Sequence, residues 1–135
     1  WRYFLYQNLL GSQDINMMDI IVKTLIEEKK LGLVFPDDPY CVGWSGNKKA
    51  AEQLAMRLKI NKLPRSLEFP VGTMFWAKSK ALSRLYNLNL TWQDMPKEPL
   101  NYDGTILHAI ERLIPIIAEV DGYGYKMTNI DEITR

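Results

Sequence analysis

Residues 69–112 read FPVGTMFWAKSKALSRLYNLNLTWQDMPKEPLNYDGTILHAIER, and the order of their parts decides the fold. A short aromatic and β-branched run, broken by Pro70 and Gly72, passes into a polar loop punctuated by Pro96 and Pro99. A helix follows. A strand that delivers a loop, and a loop that delivers a helix bearing acid and imidazole groups, is how a site is set on an α/β scaffold. Phe69, Val71, Met74, Phe75 and Trp76 are too apolar for a surface strand, while Gly72 admits close approach by a neighbouring element or by a ligand. Ser79 is placed to cap a short helix over about residues 80–86, pinned by Leu82 and Leu85. Residues 87–102 carry no sustained period, and so long an irregular segment inside a compact domain is often functional.

The last helix is expected over roughly residues 104–119 with Asp103 as its N-cap, where backbone N–H groups and the helix dipole favour the ionised carboxylate. A cap alone accounts for Asp103; a place in a small-molecule cleft beside Trp76 and Trp92 is the alternative. His108, Glu111 and Arg112 lie three and four apart and share one face of that helix, next to the apolar stripe of Leu107, Ile110 and Ile114. The chain has one His, so no second imidazole completes a metal set, and a lone His beside apolar residues fits a hydrogen-bonded structural role as well as a ligand. Pro115 should kink or divide the helix.

Working outward, residues 1–10, WRYFLYQNLL, form an amphipathic helix with Trp1, Phe4, Leu5 and Leu9 on one side. That helix starts on an aromatic with no cap, and the chain has no initiator Met, so a piece of a longer protein is expected. Ser12 or Asp14 caps a second helix over about 14–30, its stripe made of Ile15, Met18, Ile21, Val22, Leu25 and Ile26. LGLVFP, 31–36, reads as a short buried strand ended by proline, and Asp37-Asp38-Pro39 as a turn. The paired carboxylates leave a divalent-cation site as the other reading. In YCVGWSGN, 40–47, the Trp44 indole either stacks on a sugar ring or plugs the core. Asn47 caps a helix to about residue 59 with Leu54, Ala55 and Leu58 inward and Lys48, Lys49, Glu52 and Arg57 outward. Residues 121–124 make a turn into a short edge strand, 125–128, and 129–135 form a polar, frayed tail.

With 135 residues, 47% of them hydrophobic, the chain suits one core and a single unit. A net charge of +1 with scattered Lys and Arg argues against a nucleic-acid footprint. No apolar run approaches the roughly 20 residues of a membrane span, and the opening residues are not those of a secretory leader. Cys41, the one cysteine, cannot form an internal disulfide. We expect a soluble, cytoplasmic unit, at most peripheral at the inner face of the membrane.

FPVGTMFWAKSKAL, then LTWQDMPKEP, then DGTILHAIERL resemble the rhamnan synthesis protein F family, bacterial sugar-transfer proteins of cell-surface polysaccharide assembly. WRYFLYQNLLGS, LGLVFP and the turn at Trp44, Gly46 and Asn47 resemble further segments of that family in the same order. The resemblance implies an acceptor-side portion of a glycosyltransferase type A-like fold, its helices packed on a small sheet, with a nucleotide-sugar donor and a glycan acceptor as partners. In such enzymes an Asp-X-Asp motif holds the nucleotide diphosphate and a divalent metal, Mn²⁺ or Mg²⁺. No Asp-X-Asp precedes the central stretch here, so those ligands are expected outside this chain and the piece alone is expected to be inactive. The resemblance also implies that Asp103 is the base that deprotonates the acceptor hydroxyl, with Glu98 the competing candidate. Gly72 and Thr73 would border the substrate, Trp76 or Trp92 would face a pyranose, His108 would reach the diphosphate, and Arg112 would offset charge on the leaving group. A non-catalytic carbohydrate-binding or assembly module is the reading of a different class.

Overall fold

The computed structural model describes residues 1–131, 133 and 135. Among them the elements run α1 (Arg2–Leu10), α2 (Met17–Glu27), β1 (Leu31–Pro36), α3 (Lys48–Arg57), β2 (Trp76–Ala77), α4 (Ser83–Tyr86), α5 (Ile106–Val120) and β3 (Gly124–Thr128). This is an α/β arrangement of five helices on a three-stranded mixed sheet of order β2-β1-β3. β1 is central, antiparallel to β2 and parallel to β3. Every residue of β1 is buried, as a near-continuous apolar run in the middle of a covered sheet should be. The main core joins Leu33 and Phe35 of β1 to Leu54 and Ala55 of α3 and to Leu113, Ile114 and Ile117 of α5.

The sheet sets where the loops emerge. Because β1 and β3 are parallel, Pro36 pairs with Thr128, and both chains leave the sheet at one edge. The Asp37 N–H donates to the Thr128 carbonyl at 2.9 Å, and the 37–47 loop departs from there. In open α/β sheets the crevice outside the carboxyl ends of the strands is where ligands bind.

Several local expectations need correcting. α2 starts at Met17, because Asn16 accepts from the Asp19 N–H while the Ser12 hydroxyl accepts from the Asp14 and Ile15 amides in its own turn. Only Ile21 and Leu25 of the expected stripe are buried; Met18, Val22 and Ile26 face outward. Asp19, Lys23 and Glu27 mark a polar side of α2, but its apolar side is broader than the surface the fold covers, so Met18, Val22 and Ile26 stay outside. The strand expected after Phe69 shrinks to two residues, since residues 71–73 turn back at Pro70 and Gly72. Pro115 neither ends nor divides α5; its ring is fully buried in the core side of the helix. Trp44 is a core plug, 8% exposed, its Nε1–H donating to the Pro64 carbonyl.

The polar tail is tied down at the positions described, while residues 132 and 134 of that expectation lie outside the described set. The Ile130 N–H donates to Asn8 Oδ1 at 3.0 Å, and Arg135 Nη1 donates to Asp38 Oδ1 at 2.9 Å. Asp38 is buried and also accepts from Trp1 Nε1 and the Tyr40 N–H. Three of its lone-pair positions are thus taken, by the turn, the Trp1 indole and the Arg135 ion pair. Asn8, fully buried, donates its other end to the Phe4 carbonyl, so one amide joins α1 to the segment after β3. Asn8→Ala leaves a buried N–H without its acceptor and should cost about 1–3 kcal/mol of unfolding free energy; urea denaturation showing no measurable change would remove this link from the account.

Candidate active site

The 37–47 loop and the start of α5 converge on one carboxylate. Asp103 is not the N-cap of α5: Thr105 is, its hydroxyl accepting the His108 amide. Asp103 lies two residues earlier and reaches back to the front of α3. Its Oδ2 accepts from Ser45 Oγ at 3.0 Å and from the Gly46 N–H at 3.3 Å, and its Oδ1 accepts from Asn47 Nδ2 at 2.5 Å. Asn47, wholly buried, is therefore not a side-chain cap for α3; its own Oδ1 accepts from the Gly104 N–H at 2.7 Å. One buried amide thus fixes the two sides of the site.

These donors determine the charge of the site. The Asn47 amide, then the Ser45 hydroxyl and the Gly46 N–H, with the Arg112 guanidinium further off, hold the Asp103 carboxyl below its ordinary value of 3.8 against an opposing cost of partial burial. Hydrogen bonds to the charged form act in that direction. Asp103 is ionised at neutral pH. A carboxylate offers about four lone-pair positions, and three are filled here, which leaves one on Oδ1. The space is tight as well, since a Cβ on Gly46 would stand 3.0 Å from Asp103 Oδ2 and 3.1 Å from its Cβ.

Arg112 is a second centre, buried against the 37–47 loop. It is 4% exposed, with Nε donating to the Gly43 carbonyl at 3.0 Å and Nη1 donating to the His108 carbonyl and to Glu111 Oε2. The guanidinium also lies 4.7 Å from the centre of the Phe69 ring. A buried cation is tolerable only when its donors are matched in this way. Glu111 completes the link: its Oε1 accepts from the Gly72 N–H at 2.8 Å and faces the Thr73 hydroxyl at 3.4 Å. Gly72 has the close approach expected of it, and the approaching group is the Trp1 ring, 2.8 Å from where a Cβ would stand. Its φ of +77° also lies in the region that favours glycine.

Asp103, His108, Arg112, Gly72 and Thr73 therefore belong to one connected network through Gly43–Asn47 and Glu111. His108 Nδ1 lies 2.7 Å from Thr105 Oγ1. That contact and the Thr105 acceptance of the His108 amide hold the ring against the first turn of α5. Trp76 stands apart, its Nε1–H donating to the Leu9 carbonyl of α1. Trp92 is 89% exposed, on a turn held by reciprocal Thr91 and Asp94 hydrogen bonds. Glu98 is exposed and has no hydrogen-bond partner among the described residues. Sequence reasoning missed Ser45, Gly46 and Asn47 as Asp103 ligands, for which the SGN run before α3 was the available signal, and it named Glu111 on the His108 face without its link to Gly72 and Thr73.

Among the described residues no group of three or more His, Cys, Asp or Glu is placed to hold a metal ion, and no helix is long and apolar enough to cross a membrane. A family model described as rhamnan synthesis protein F matches residues 1–123. The chain belongs to that family. Among curated proteins, "Uncharacterized protein WxcX" of Xanthomonas campestris pv. campestris strain B100 is 30% identical over 98% of this chain. The protein of that name in strain ATCC 33913 is 30% identical over the same share. The chain spans 19% of the length of each. No solved structure gives a significant match.

Removing the first of the Asp103 donors tests the electrostatics. Asn47→Ala should raise the Asp103 midpoint toward 3.8, read from its carboxyl carbon in an NMR titration. The sign for stability follows: Asp103 stabilises the fold above the unfolded value and loses that contribution as pH falls through the lower folded value. An Asp103 midpoint at or above 3.8 in the unsubstituted chain would contradict the arrangement.

Proposed function

We propose that this chain is the acceptor-side portion of a glycosyltransferase type A-like enzyme of rhamnosyltransferase character. The complete protein would move a sugar from a nucleotide-sugar donor to a glycan acceptor in cell-surface polysaccharide synthesis. What carries the reading is one ionised carboxylate with one open lone pair, Asp103, in a chain of a family named for rhamnan synthesis.

In the proposed chemistry the acceptor O–H donates to Asp103 Oδ1, its oxygen attacks the anomeric carbon, and the nucleoside diphosphate leaves as the proton passes to Asp103. The three donors that keep Asp103 charged also make it a weak base. Proton transfer is then late, when bond formation has already acidified the acceptor oxygen. Glu98 lacks such donors among the described residues and is the competing base. Arg112 would offset charge on the leaving diphosphate, with His108 beside it on α5. The Gly72–Thr73 backbone would border the sugar, and the exposed Trp92 ring, or Trp76, would offer a pyranose an apolar face. A divalent metal, Mn²⁺ or Mg²⁺, would take its ligands from outside this chain.

A second reading, a non-catalytic carbohydrate-binding module, is favoured by Trp92 and Tyr102, both almost fully exposed on the irregular segment between α4 and α5. It requires oligosaccharide binding that depends on Trp92 and ignores nucleotide. In the complete protein Asp103→Asn should lower kcat for sugar transfer by about 10²–10⁴-fold, while Glu98→Gln stays near wild type. The reverse pattern would move the base to Glu98, and transfer unaffected by either substitution would favour the binding module.

A further inference from the structure

The positive charge of this molecule is concentrated on one segment. Residues 48–65 carry Lys48, Lys49, Arg57, Lys59, Lys62 and Arg65 against the single carboxylate Glu52, a net of +5 in a chain whose total is +1. Lys and Arg are scattered over the rest of the chain but dense in this segment, and Lys48, Lys62 and Arg65 of the six border two adjoining hollows. Ala51, Leu54 and Ala55 turn one side of α3 into the core, which leaves its basic side outward, and all six cations are exposed. Among the described residues only Arg57 of the six has an ion-pair partner, Asp94 at 3.4 Å.

The apolar features of this face matter as much as its charge. Met56 stands 71% exposed between the cations. Two adjoining hollows of about 460 and 630 Å³ share Lys62 and Leu63 as lining. Lys48, Glu52 and Met56 border the first, and Pro64, Arg65, Ile116, Glu119 and Val120 border the second. Three cations, Lys48, Lys62 and Arg65, outnumber the two carboxylates around an apolar floor.

We infer that the outward face of α3 and the connector after it, residues 48–65, form a docking surface for an anionic lipid bilayer. Lys and Arg near such a surface each contribute about 1 kcal/mol through its negative potential. Met56 and the Leu63–Pro64 floor supply apolar contact at the headgroup boundary, the second ingredient of interfacial binding. An extended single-stranded nucleic acid would call for aromatic side chains to stack on its bases, and residues 48–65 contain no Trp, Tyr or Phe. A nucleic-acid duplex presents phosphates but no apolar boundary for Met56 and Leu63 to enter, whereas a bilayer presents both. This surface does not depend on the transfer reading. It adds to it, because α3 begins at Asn47, so docking would hold Asp103 within about one helix length, roughly 15 Å, of the headgroups.

The test is co-sedimentation of the 135-residue chain with phosphatidylcholine vesicles and with vesicles that also contain phosphatidylserine. Binding should require phosphatidylserine and weaken steeply with added salt. Replacing Lys48, Lys62 and Arg65 together by Ala should lower affinity about 100-fold, that being about 1 kcal/mol per cation. Met56→Asp should weaken it independently, and all these side chains are exposed, so circular dichroism should show the fold unchanged. Absence of binding to phosphatidylserine vesicles at low salt would overturn the proposal. So would equal binding to the neutral vesicles, or an RNA oligonucleotide that competes at lower concentration than the lipid.

Discussion

All six residues of β1 are buried, and both its edges are paired, with β2 on one side and β3 on the other. A central strand of this kind is held in register by ladders on both sides and by the fit of Leu33 and Phe35 in the close-packed core. Its carboxyl end therefore releases the 37–47 loop at a fixed place. From that loop come Asp38, the carbonyl that receives Arg112, and the Ser45–Asn47 donors of Asp103. β3 runs parallel and ends at the same edge, where Ile130 and Arg135 are tied to Asn8 and Asp38. The candidate site exists because a rigid strand ends where a polar loop begins.

Two buried polar groups transmit that rigidity. Asn47 joins the front of α3 to the entry of α5 by holding both the Asp103 carboxylate and the Gly104 amide. Arg112 joins α5 to the same loop through Gly43 and, by way of Glu111, to Gly72 and Thr73. Partly satisfied networks of this kind are costly in low dielectric, whereas satisfied ones specify a single arrangement. The same groups that place Asp103 also set its charge, so position and ionisation are not independent. A change at Asn47 alters both.

Much of the fold was legible from local pattern. α1, β1 and β3 are where period and punctuation put them, and the α3 interior matches its apolar spacing. What failed were inferences that needed a distant partner. Capping rules see a few residues, so Asp103 next to a helix start reads as its cap, when its donors lie about 57 residues earlier in the chain. Trp44 fits a core plug or a sugar-facing ring by sequence, and nothing local signals the burial of Arg112; Pro64 in one case and Gly43 with Phe69 in the other decide both. α2 was over-assigned because Met18, Val22 and Ile26 are as apolar as the residues that pack. The site was half visible: Asp103, His108 and Arg112 stood out by residue type and Glu111 by its place beside them on α5, whereas Ser45, Gly46 and Asn47 showed only as a turn before α3.

The central claim is that this chain supplies the acceptor side of a sugar-transfer enzyme whose donor-binding groups lie elsewhere in a longer protein. Its most direct test is calorimetric titration of nucleoside diphosphate sugars with Mn²⁺ into the complete protein and, in parallel, into residues 1–135. The account predicts that the complete protein binds one donor and that the 135-residue chain binds none. Donor binding by the isolated chain, or by neither protein, would contradict it.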